Sequence, residues 1–203
     1  MTTAQAIHTQ FVKIAQELSP LLTEAIARTA PIDLIPDQAS PFAERLCRAV
    51  AGQQLSIKAA ASIWGRVVNQ AGGRSLIEYL ALANPDDLRA CGLSAAKAKA
   101  MRAIAVAEQA GHLDAATLRA LDHETRSAQL TKIWGVGQWT ADMMSIFYFG
   151  DVDVWPDGDT TARKMLERLT SPRRKTIRTA ARFAPYRSYL ALYMWRQVDA
   201  TPD

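Results

Sequence analysis

The sequence predicts an all-α protein of about ten helices. Apolar residues recur at helical spacing along almost the whole chain of 203 residues. No stretch alternates apolar and polar residues convincingly over the length of an ordinary strand, although the short segment 152–155 could be extended. Proline, glycine and capping residues interrupt the helical pattern at intervals that suit short, packed helices.

Capping and breaking residues set the boundaries of these helices. Ser56 and Asn84 can accept hydrogen bonds from the first free amides of a helix, and Gly72-Gly73 can end one in the left-handed conformation. Pro31 and Pro36 mark a loop. In chain order, the predicted helical segments are 5–29, 42–50, 57–70, 75–81, a short helix after 84, 94–110, 117–121, 124–133, 159–169, 172–182 and 186–198.

The composition is that of an ordinary globular protein and excludes several other classes. Hydrophobic residues make up 49% of the chain and charged residues 22%. The sequence has no bilayer-spanning apolar run and no secretory signal, so we expect a cytoplasmic protein. Cys47 and Cys91 lie in different helical patterns and are expected to be buried thiols. They are too few for a disulfide framework or an iron–sulfur cluster.

Basic residues are concentrated towards the C-terminus. The net charge of +4 is a mild indication of a polyanionic partner. The segment from Arg163 to Arg187 contains nine basic residues and a single acidic one, Glu167. The alternative to a binding surface is a solvated helix face. A second basic set comprises Arg89, Lys97, Lys99 and Arg102.

The segment from Leu130 to Ala141 predicts a tight hairpin between two helices. Gly135 and Gly137 stand where a backbone must turn sharply and can approach a ligand closely. The amides after them open a helix and can bind a phosphate oxygen. A glycine-rich hairpin without a ligand is the alternative, and the complete pattern on both helices disfavours it.

One carboxylate follows the hairpin at the start of the next predicted helix. Pro156-Asp157-Gly158 leads to Asp159, in a context that also suits a plain helix N-cap. The positive end of a helix favours an ionised carboxylate. Such a carboxylate can stabilise a sugar cation, which is the transition-state character of glycosidic bond cleavage. Asp157 and Asp153 are nearby alternatives for this role.

No other catalytic set is visible in the sequence. The three histidines, His8, His112 and His123, are scattered and lack the spacing of metal ligands. No glycine loop follows a strand, as a nucleotide-binding loop would. Aromatic residues cluster around the hairpin and Asp159. Most are expected to pack in the core, and a few could stack on a base that has left a duplex.

These segments resemble the helix-hairpin-helix superfamily of base-excision DNA glycosylases, and within it the 3-methyladenine DNA glycosylase II (AlkA-like) type. The resemblance spans roughly residues 41–195. It is carried by Ala49–Ser56, which resembles the family's wedge loop; by Leu88–Lys97, a second signature; by Gly135–Ala141, the hairpin; and by Pro156-x-x-Asp159 together with Pro185–Tyr189.

The resemblance implies a role for each matching residue. Asp159 would stabilise the oxocarbenium ion and help to position water, and a cationic alkylated purine would need no strong general acid. The implied base pocket is Trp139, Met143 and Trp195, with Trp155 a weaker member. The implied wedge is Gln54 or Leu55. The implied contacts to the DNA backbone are Gly135, Gly137, Thr140, Ser56 and Lys97. The carbonyls of Ile133 and Gly135 would hold a monovalent cation.

Departures from the family pattern indicate which type of glycosylase the chain resembles. Bifunctional members place a nucleophilic lysine where this chain has Gln138-Trp139, so we expect hydrolysis without strand cleavage. The cysteine ligands of the endonuclease III-type cluster are missing, so no cofactor is expected apart from the structural cation that the hairpin carbonyls would hold. Only about 40 residues precede the match, which indicates the compact form without an N-terminal β domain.

The resemblance also implies an architecture and a partner. We expect a single domain over 1–203 with two lobes, one of about 45–150 and one of about 1–44 plus 151–203, and an active-site cleft between them. The expected protein is a monomer that acts on double-stranded DNA containing alkylated bases. The alternatives are a non-catalytic helix-hairpin-helix DNA-binding module and a glycosylase for another lesion. A pure binding module would have no need of the Pro-x-x-Asp placement.

Overall fold

The computed structural model describes residues 3–199, which form thirteen α-helices and one π-helical turn, with no strand in that range. The prediction of an all-α protein is confirmed. The chain divides into two compact units. Unit 1 comprises Met1–Pro36 with Ser145–Asp203, and unit 2 comprises Asp37–Met144. No helix within the described range has both the length and the apolar character needed to cross a bilayer.

Unit 1 is built around the helix that Asp159 precedes. Its elements are α1 (Thr3–Gln16), α2 (Pro20–Arg28), a π-helical turn (Ser145–Phe149), α11 (Thr160–Leu169), α12 (Thr176–Ala181) and α13 (Arg187–Asp199). Helix α11 packs against α2, α12 and α13. The core includes Phe11, Leu22, Phe183 and Leu190, all fully buried. Burial of each large apolar side chain contributes roughly 1.5–3 kcal/mol, so this core fixes the start of α11 firmly.

Two predicted helices of unit 1 are shorter than the sequence pattern indicated. The segment 5–29 is not one helix, because Pro20 lacks a backbone amide and restricts Ser19, which is extended at φ −166° and ψ 137°. The helix predicted from Pro172 begins only at Thr176. Ser171 and Arg173 instead form a turn, in which the Arg173 amide donates to the Ser171 hydroxyl.

Unit 2 contains eight helices. They are α3 (Phe42–Gly52), α4 (Ile57–Ala71), α5 (Leu76–Leu82), α6 (Pro85–Ala90), α7 (Ala95–Gln109), α8 (Ala115–Ala120), α9 (His123–Leu130) and α10 (Gln138–Met144). Helix α7 contacts α3, α5 and α6. Its buried face is rich in alanine, which lets neighbouring backbones approach closely. Helix α10 packs against α3 and α9.

Side-chain caps begin most helices of unit 2, as the sequence predicted for Ser56 and Asn84. The Ser56 hydroxyl accepts from the Ala59 amide, and the Asn84 amide oxygen accepts from the Asp86 amide. Gly72 ends α4 at φ 62°, in the left-handed region. Each such cap typically contributes about 1 kcal/mol. These local signals explain why many helix boundaries could be predicted to within a few residues.

Candidate active site

The carboxylate of Asp159 is held at the N-terminus of α11 by two donors. Its Oδ1 atom accepts a hydrogen bond from the Ala162 amide at 2.7 Å and another from the Trp195 indole Nε1 at 3.0 Å. The side chain lies at the edge of the unit 1 core, and the residue is 9% exposed. The expected N-cap is therefore present, and an aromatic donor from α13 is added to it.

Comparison with the other capping aspartates shows what distinguishes Asp159. Asp114 caps α8 and Asp122 caps α9 by the same backbone contact, yet both are exposed. Each also accepts a hydrogen bond from the hydroxyl of a threonine in its own helix turn. A helix cap needs neither burial nor an indole donor brought from another helix. The surroundings of Asp159 therefore exceed what capping alone requires.

Asp153, the first nearby alternative, has a structural role: it attaches the segment before α11 to the start of α13. It accepts from the Arg187 amide at 3.1 Å and forms a two-point ion pair with the guanidinium, at 2.7 and 3.0 Å. Partial burial alone would raise the pKa of Asp153, but the hydrogen bonds and charge of Arg187 lower it below its ordinary value. Ser188 adds a second attachment, since its hydroxyl donates to the Asp151 carbonyl and accepts from the Val154 amide.

Asp157, the second alternative, also has structural partners. Its Oδ1 atom accepts from the Trp155 indole at 3.1 Å and from the Thr176 hydroxyl at 3.0 Å. These bonds connect the turn before α11 to the start of α12. Asp159, by comparison, accepts from an amide of its own helix and from the Trp195 indole of α13.

The aromatic residues predicted for the base pocket fall into three environments. In unit 1, the ring of Trp195 lies 5.7 Å from the ring of Phe147, centroid to centroid, so Phe147 joins the surroundings of Asp159. Trp155 is 8% exposed and belongs to the hydrophobic core, which assigns it to packing. In unit 2, Trp139 and Met143 are half-buried and share one face of α10, four residues apart. The sequence had marked Phe147 only as part of an aromatic cluster.

The two hairpin glycines have different surroundings. Gly135 has a φ of +85°, and a Cβ atom there would lie 2.4 Å from the Cβ of Ala100 in α7. The structure of unit 2 therefore requires glycine at 135. Gly137 has no positive φ, and nothing lies within 4 Å of its Cβ position. Its open side is available for the approach of a ligand to the amides that begin α10.

Polar side chains also join the two helices of the hairpin. The buried carboxylate of Asp142 in α10 accepts from the Gln138 side-chain amide at 2.8 Å and lies 3.2 Å from Nε2 of His123 in α9. Gln138 stands where bifunctional relatives of this pattern place lysine. Its side chain is directed to Asp142, and no lysine occurs in α10.

The predicted wedge residues lie on a strained, solvent-facing loop. The last four residues of the Ala49–Ser56 segment, residues 53–56, connect α3 to α4 and are named the wedge loop. Gln54 has a φ of 57° and is the only non-glycine with positive φ among residues 3–199. Leu55 is 40% exposed although it is a large apolar residue. Ser56 is exposed, and its hydroxyl caps α4.

Two residues predicted to contact the DNA backbone have their polar atoms directed into unit 2 instead. The Nζ atom of Lys97 donates to the carbonyls of Ala51 and Gln53. The Thr140 hydroxyl accepts from the Gln53 side-chain amide, and Thr140 is 1% exposed. The side-chain polar groups of both residues therefore have partners within unit 2, and their contact with the DNA backbone stays a prediction.

Two arginines of the basic cluster of 163–187 form ion pairs with acidic residues of the protein. Arg187 pairs with Asp153, and Arg182 pairs with Glu17. Other members remain exposed around a cavity of about 310 Å³ in unit 1. The charged residues that line it are Asp157, Arg163, Glu167, Arg173, Arg174 and Lys175. Four cations against two acids leave this cavity with an excess of positive charge, which suits an anion.

A larger cavity of about 800 Å³ lies in unit 2 and is mainly apolar. Its lining includes Val106, Leu113, Ile133 and Trp134, and it contains no acidic residue. It therefore offers no carboxylate for glycosidic chemistry. Trp134 at its rim is 45% exposed and has the Lys99 ammonium 4.3 Å from its ring centroid.

The cation site predicted at the hairpin consists of backbone carbonyl oxygens. No cluster of three or more His, Cys, Asp or Glu side chains that could hold a metal ion occurs in the part of the chain that the structure describes. The Ile133 carbonyl, predicted to hold a monovalent cation, accepts from the Val136 amide at 3.0 Å. A carbonyl has two lone pairs, so this oxygen retains the capacity to bind a hard cation.

The cysteines are buried thiols, as the sequence predicted. Cys47 and Cys91 are both free and buried. Burial raises the pKa of the Cys47 thiol far above its ordinary value, with smaller contributions from Glu44 and Glu108. It also raises the pKa of the Cys91 thiol. Neither thiol is suited to act as a thiolate nucleophile.

Comparisons with known proteins agree with this fold. Residues 47–185 match the model of the HhH-GPD superfamily of base excision DNA repair proteins. The chain is 34% identical over 161 residues to DNA-3-methyladenine glycosylase 1 of Schizosaccharomyces pombe, covering 75% of this chain and 71% of that protein.

Two solved structures have the same fold. A DNA-3-methyladenine glycosidase from Bacillus halodurans has a TM-score of 0.77 and 29% identity, over 93% of this chain and 88% of that one. A 3-methyladenine DNA glycosylase of Schizosaccharomyces pombe in complex with abasic DNA also has a TM-score of 0.77. It has 26% identity, over 94% of this chain and 97% of that one. The resemblance noted in the sequence is confirmed, and the chain belongs to the HhH-GPD superfamily of base excision DNA repair proteins.

Proposed function

We propose that this protein is a monofunctional DNA glycosylase that flips alkylated purines out of double-stranded DNA and hydrolyses their N-glycosidic bonds. The substrates are 3-methyladenine, 7-methylguanine and similar bases. The observation that carries the proposal is the buried carboxylate of Asp159, which a helix amide and the Trp195 indole hold at the start of α11. The similarity to proteins named 3-methyladenine DNA glycosylases supports the substrate class.

Asp159 performs the central step as an anion. Cleavage of the bond between base and deoxyribose leaves positive charge on the sugar, which a nearby carboxylate stabilises electrostatically. The same carboxylate accepts a hydrogen bond from the attacking water and orients it towards the anomeric carbon. The two donors on Oδ1 fix the side chain before the substrate arrives, so little reorganisation is needed during the reaction.

The alkylated base leaves without a strong general acid. A purine methylated at a ring nitrogen carries a positive charge, so it departs as a neutral molecule when the bond breaks. This chemistry suits a site in which Asp159 is the one assigned catalytic group. We assign recognition of the cationic base to aromatic faces, which attract cations. Trp195 and its neighbour Phe147 in unit 1 are candidates, as are Trp139 and the polarisable Met143 in unit 2.

Two surfaces are proposed to hold the DNA backbone. The first consists of the amides that follow Gly137, whose Cβ side is open. The second is the basic cavity of unit 1, where Arg163, Arg173, Arg174 and Lys175 can neutralise phosphates. The wedge residue, Gln54 or Leu55, then fills the gap left by the flipped nucleotide. An exposed apolar side chain such as Leu55 suits insertion between stacked bases.

The reaction ends with base release, because no lysine directly follows the hairpin glycines. A lyase step needs a lysine to form a Schiff base with the sugar, and Gln138 occupies that place. The expected products are therefore a free base and an intact strand with an abasic site. A monovalent cation bound by the Ile133 and Gly135 carbonyls would stiffen the hairpin and add positive charge near the phosphates.

Base release from methylated duplex DNA tests the proposal. Purified protein is incubated with DNA treated with a methylating agent, and the freed bases are separated by chromatography. Release of 3-methyladenine or 7-methylguanine without strand cleavage supports it. Binding to damaged duplex without release of any alkylated base contradicts it, and would favour a different lesion or a non-catalytic binding protein.

A further inference from the structure

Three side chains of unit 2 connect the wedge loop to the hairpin, and the proposed reaction has assigned none of them a function. Lys97 lies in the first turn of α7, Gln53 directly follows α3, and Thr140 lies in α10. Lys97 follows Gln53 by 44 residues, and Thr140 follows Gln53 by 87 residues. Their contacts form a continuous path from α7 through the wedge loop to α10.

Lys97 fastens the chain where α3 ends and the wedge loop begins. Its Nζ atom donates to the Ala51 carbonyl at 2.9 Å and to the Gln53 carbonyl at 2.6 Å. Carbonyls in the last turn of a helix lack helical donors, and a cation there also complements the helix dipole. Burial lowers the pKa of Lys97, so an ammonium would be placed here at some cost unless its contacts offset it.

Gln53 carries the connection from the wedge loop to the hairpin helix. Its side-chain amide donates to the Thr140 hydroxyl at 2.9 Å. Thr140 is almost completely buried, and it follows Gly137 by three residues. The bond therefore links the residue next to the wedge with the first turn of the helix whose amides are proposed to hold phosphate.

The conformation of the wedge loop needs this kind of support. Gln54 has a Cβ atom and yet adopts a φ of 57°. Such a conformation is unfavourable for residues other than glycine and persists where the surroundings fix it. Lys97 and Thr140 hold Gln53, the residue immediately before Gln54, from two directions: Lys97 binds its carbonyl and Thr140 binds its side chain.

We propose that Lys97, Gln53 and Thr140 are positioning residues that hold the wedge loop in register with the phosphate-binding hairpin. The proposal rests on the function given above. A wedge can fill the space of a flipped nucleotide only at a set distance from the phosphates that the protein grips. The three side chains set that distance within unit 2 and act through Gln54 and Leu55 rather than by touching the DNA.

The test compares binding to two duplexes of one sequence at fixed salt concentration. One carries a tetrahydrofuran abasic analogue, whose gap the wedge can fill, and the other is undamaged. The ratio of the two affinities reports on the wedge. Thr140→Val removes the hydroxyl and keeps the shape, while Thr140→Ser keeps the hydroxyl. Lys97→Met removes the ammonium, and Lys13→Met removes an exposed lysine of α1 as the matched control.

We expect Lys97→Met to lower the preference for abasic DNA by about tenfold or more, the effect of a hydrogen bond from a charged group. Thr140→Val should lower it by roughly threefold to tenfold, as one neutral hydrogen bond predicts. Thr140→Ser should recover most of the preference, and Lys13→Met should retain it. Affinity of Thr140→Val for the undamaged duplex should change by less than about twofold, since no phosphate contact is removed.

Several results would overturn the proposal. One is a preference for abasic DNA in Thr140→Val and Lys97→Met that equals that of the wild type, and another is an equal loss of affinity for both duplexes. The others are a loss of preference in Thr140→Ser as large as in Thr140→Val, and a wild-type protein that shows no preference for abasic DNA. Thermal unfolding of each variant establishes that it is folded. If Lys97→Met does not fold, the comparison of Thr140→Val with Thr140→Ser decides the outcome. Because the readout involves no base release, failure of the proposed reaction and failure of this positioning role are observed separately.

Discussion

The indole Nε1 of Trp195 donates a hydrogen bond to Oδ1 of Asp159 across 3.0 Å, joining α13 to the start of α11. The same ring lies against Phe147. One residue thus orients the carboxylate with its polar edge while presenting an aromatic face beside it. This pairing explains why a tryptophan, rather than another aromatic residue, suits position 195.

Trp195→Phe separates these two roles, because it keeps an aromatic ring and removes the donor. We expect the rate of base release at saturating enzyme to fall by about tenfold, the effect of losing one hydrogen bond to a charged group of roughly 1.5 kcal/mol. Affinity for abasic duplex should stay close to that of the wild type. Single-turnover kinetics and a binding titration measure the two quantities.

Trp155→Phe is the matched control for Trp195→Phe. It also removes an indole that donates to an aspartate, here Asp157, but it lies in the core of unit 1. Its effect should appear as a lower melting temperature with a smaller loss of base release. Equal losses of release in the two variants would contradict a specific role for the Trp195 donor.

The hairpin glycines provide a second prediction. Gly135→Ala should destabilise the protein by about 2–4 kcal/mol, since it combines a positive φ with overpacking, and its Cβ would lie 2.4 Å from that of Ala100. Gly137→Ala should change the free energy of unfolding little, because its Cβ position is open, but weaken DNA binding by obstructing the approach of a phosphate. Denaturant unfolding and duplex binding of both variants distinguish these effects. Unaltered DNA affinity in Gly137→Ala would argue against a phosphate at this hairpin.

The ion pair of Asp153 with Arg187 predicts a pH dependence of stability. Because the pKa of Asp153 is lower in the folded protein than in the unfolded chain, the pair stabilises the fold above the unfolded pKa of about 3.9. This contribution is lost as the pH falls through the folded pKa. Asp153→Asn should therefore cost about 1 kcal/mol near neutral pH, a value reduced from that of a buried pair because both side chains are about one-third exposed.

The difference between wild type and Asp153→Asn should shrink as the pH falls below about 4. Melting temperatures measured from pH 3 to pH 7 test this. A difference that stays constant over that range would mean that the charge of Asp153 contributes nothing and that the substitution acts only through packing.

The basic cavity of unit 1 predicts a salt effect. Replacing both Arg173 and Arg174 with glutamine should reduce the dependence of log affinity on log salt concentration by up to about 1.8, if each arginine neutralises one phosphate. Both residues are exposed, so the fold should be retained. Titrations at several salt concentrations measure the slope. An unchanged slope would remove this cavity from the DNA-binding surface.

Much of the fold could be predicted from the sequence because its signals are local. Ser56, Asn84 and Asp159 each cap the helix that follows, and each is recognisable from its neighbours in the chain. The break at Pro20 was missed because apolar spacing continues across it. The start of α12 was misplaced because Pro172 suits a first helical turn equally well.

The contacts that organise the site could not be predicted in this way. The partners of Lys97 lie 44 and 46 residues away, and the Gln53–Thr140 bond spans 87 residues. The resemblance implied that Lys97 and Thr140 contact the DNA backbone, whereas the tertiary structure gives both side chains internal partners. Likewise, the exposed cap of Asp114 and the buried cap of Asp159 look alike in sequence, and only packing with Trp195 distinguishes them.

Substitution of Asp159 tests the central claim most directly. Asparagine caps helices as well as aspartate does, so Asp159→Asn removes the negative charge while preserving the helix start. Asp114→Asn makes the same change at an exposed cap and serves as the control. Release of 3-methyladenine from methylated duplex should fall by about hundredfold or more in Asp159→Asn, while abasic DNA is still bound and Asp114→Asn behaves as the wild type. Base release by Asp159→Asn at the wild-type rate would contradict the assignment of Asp159 as the catalytic carboxylate.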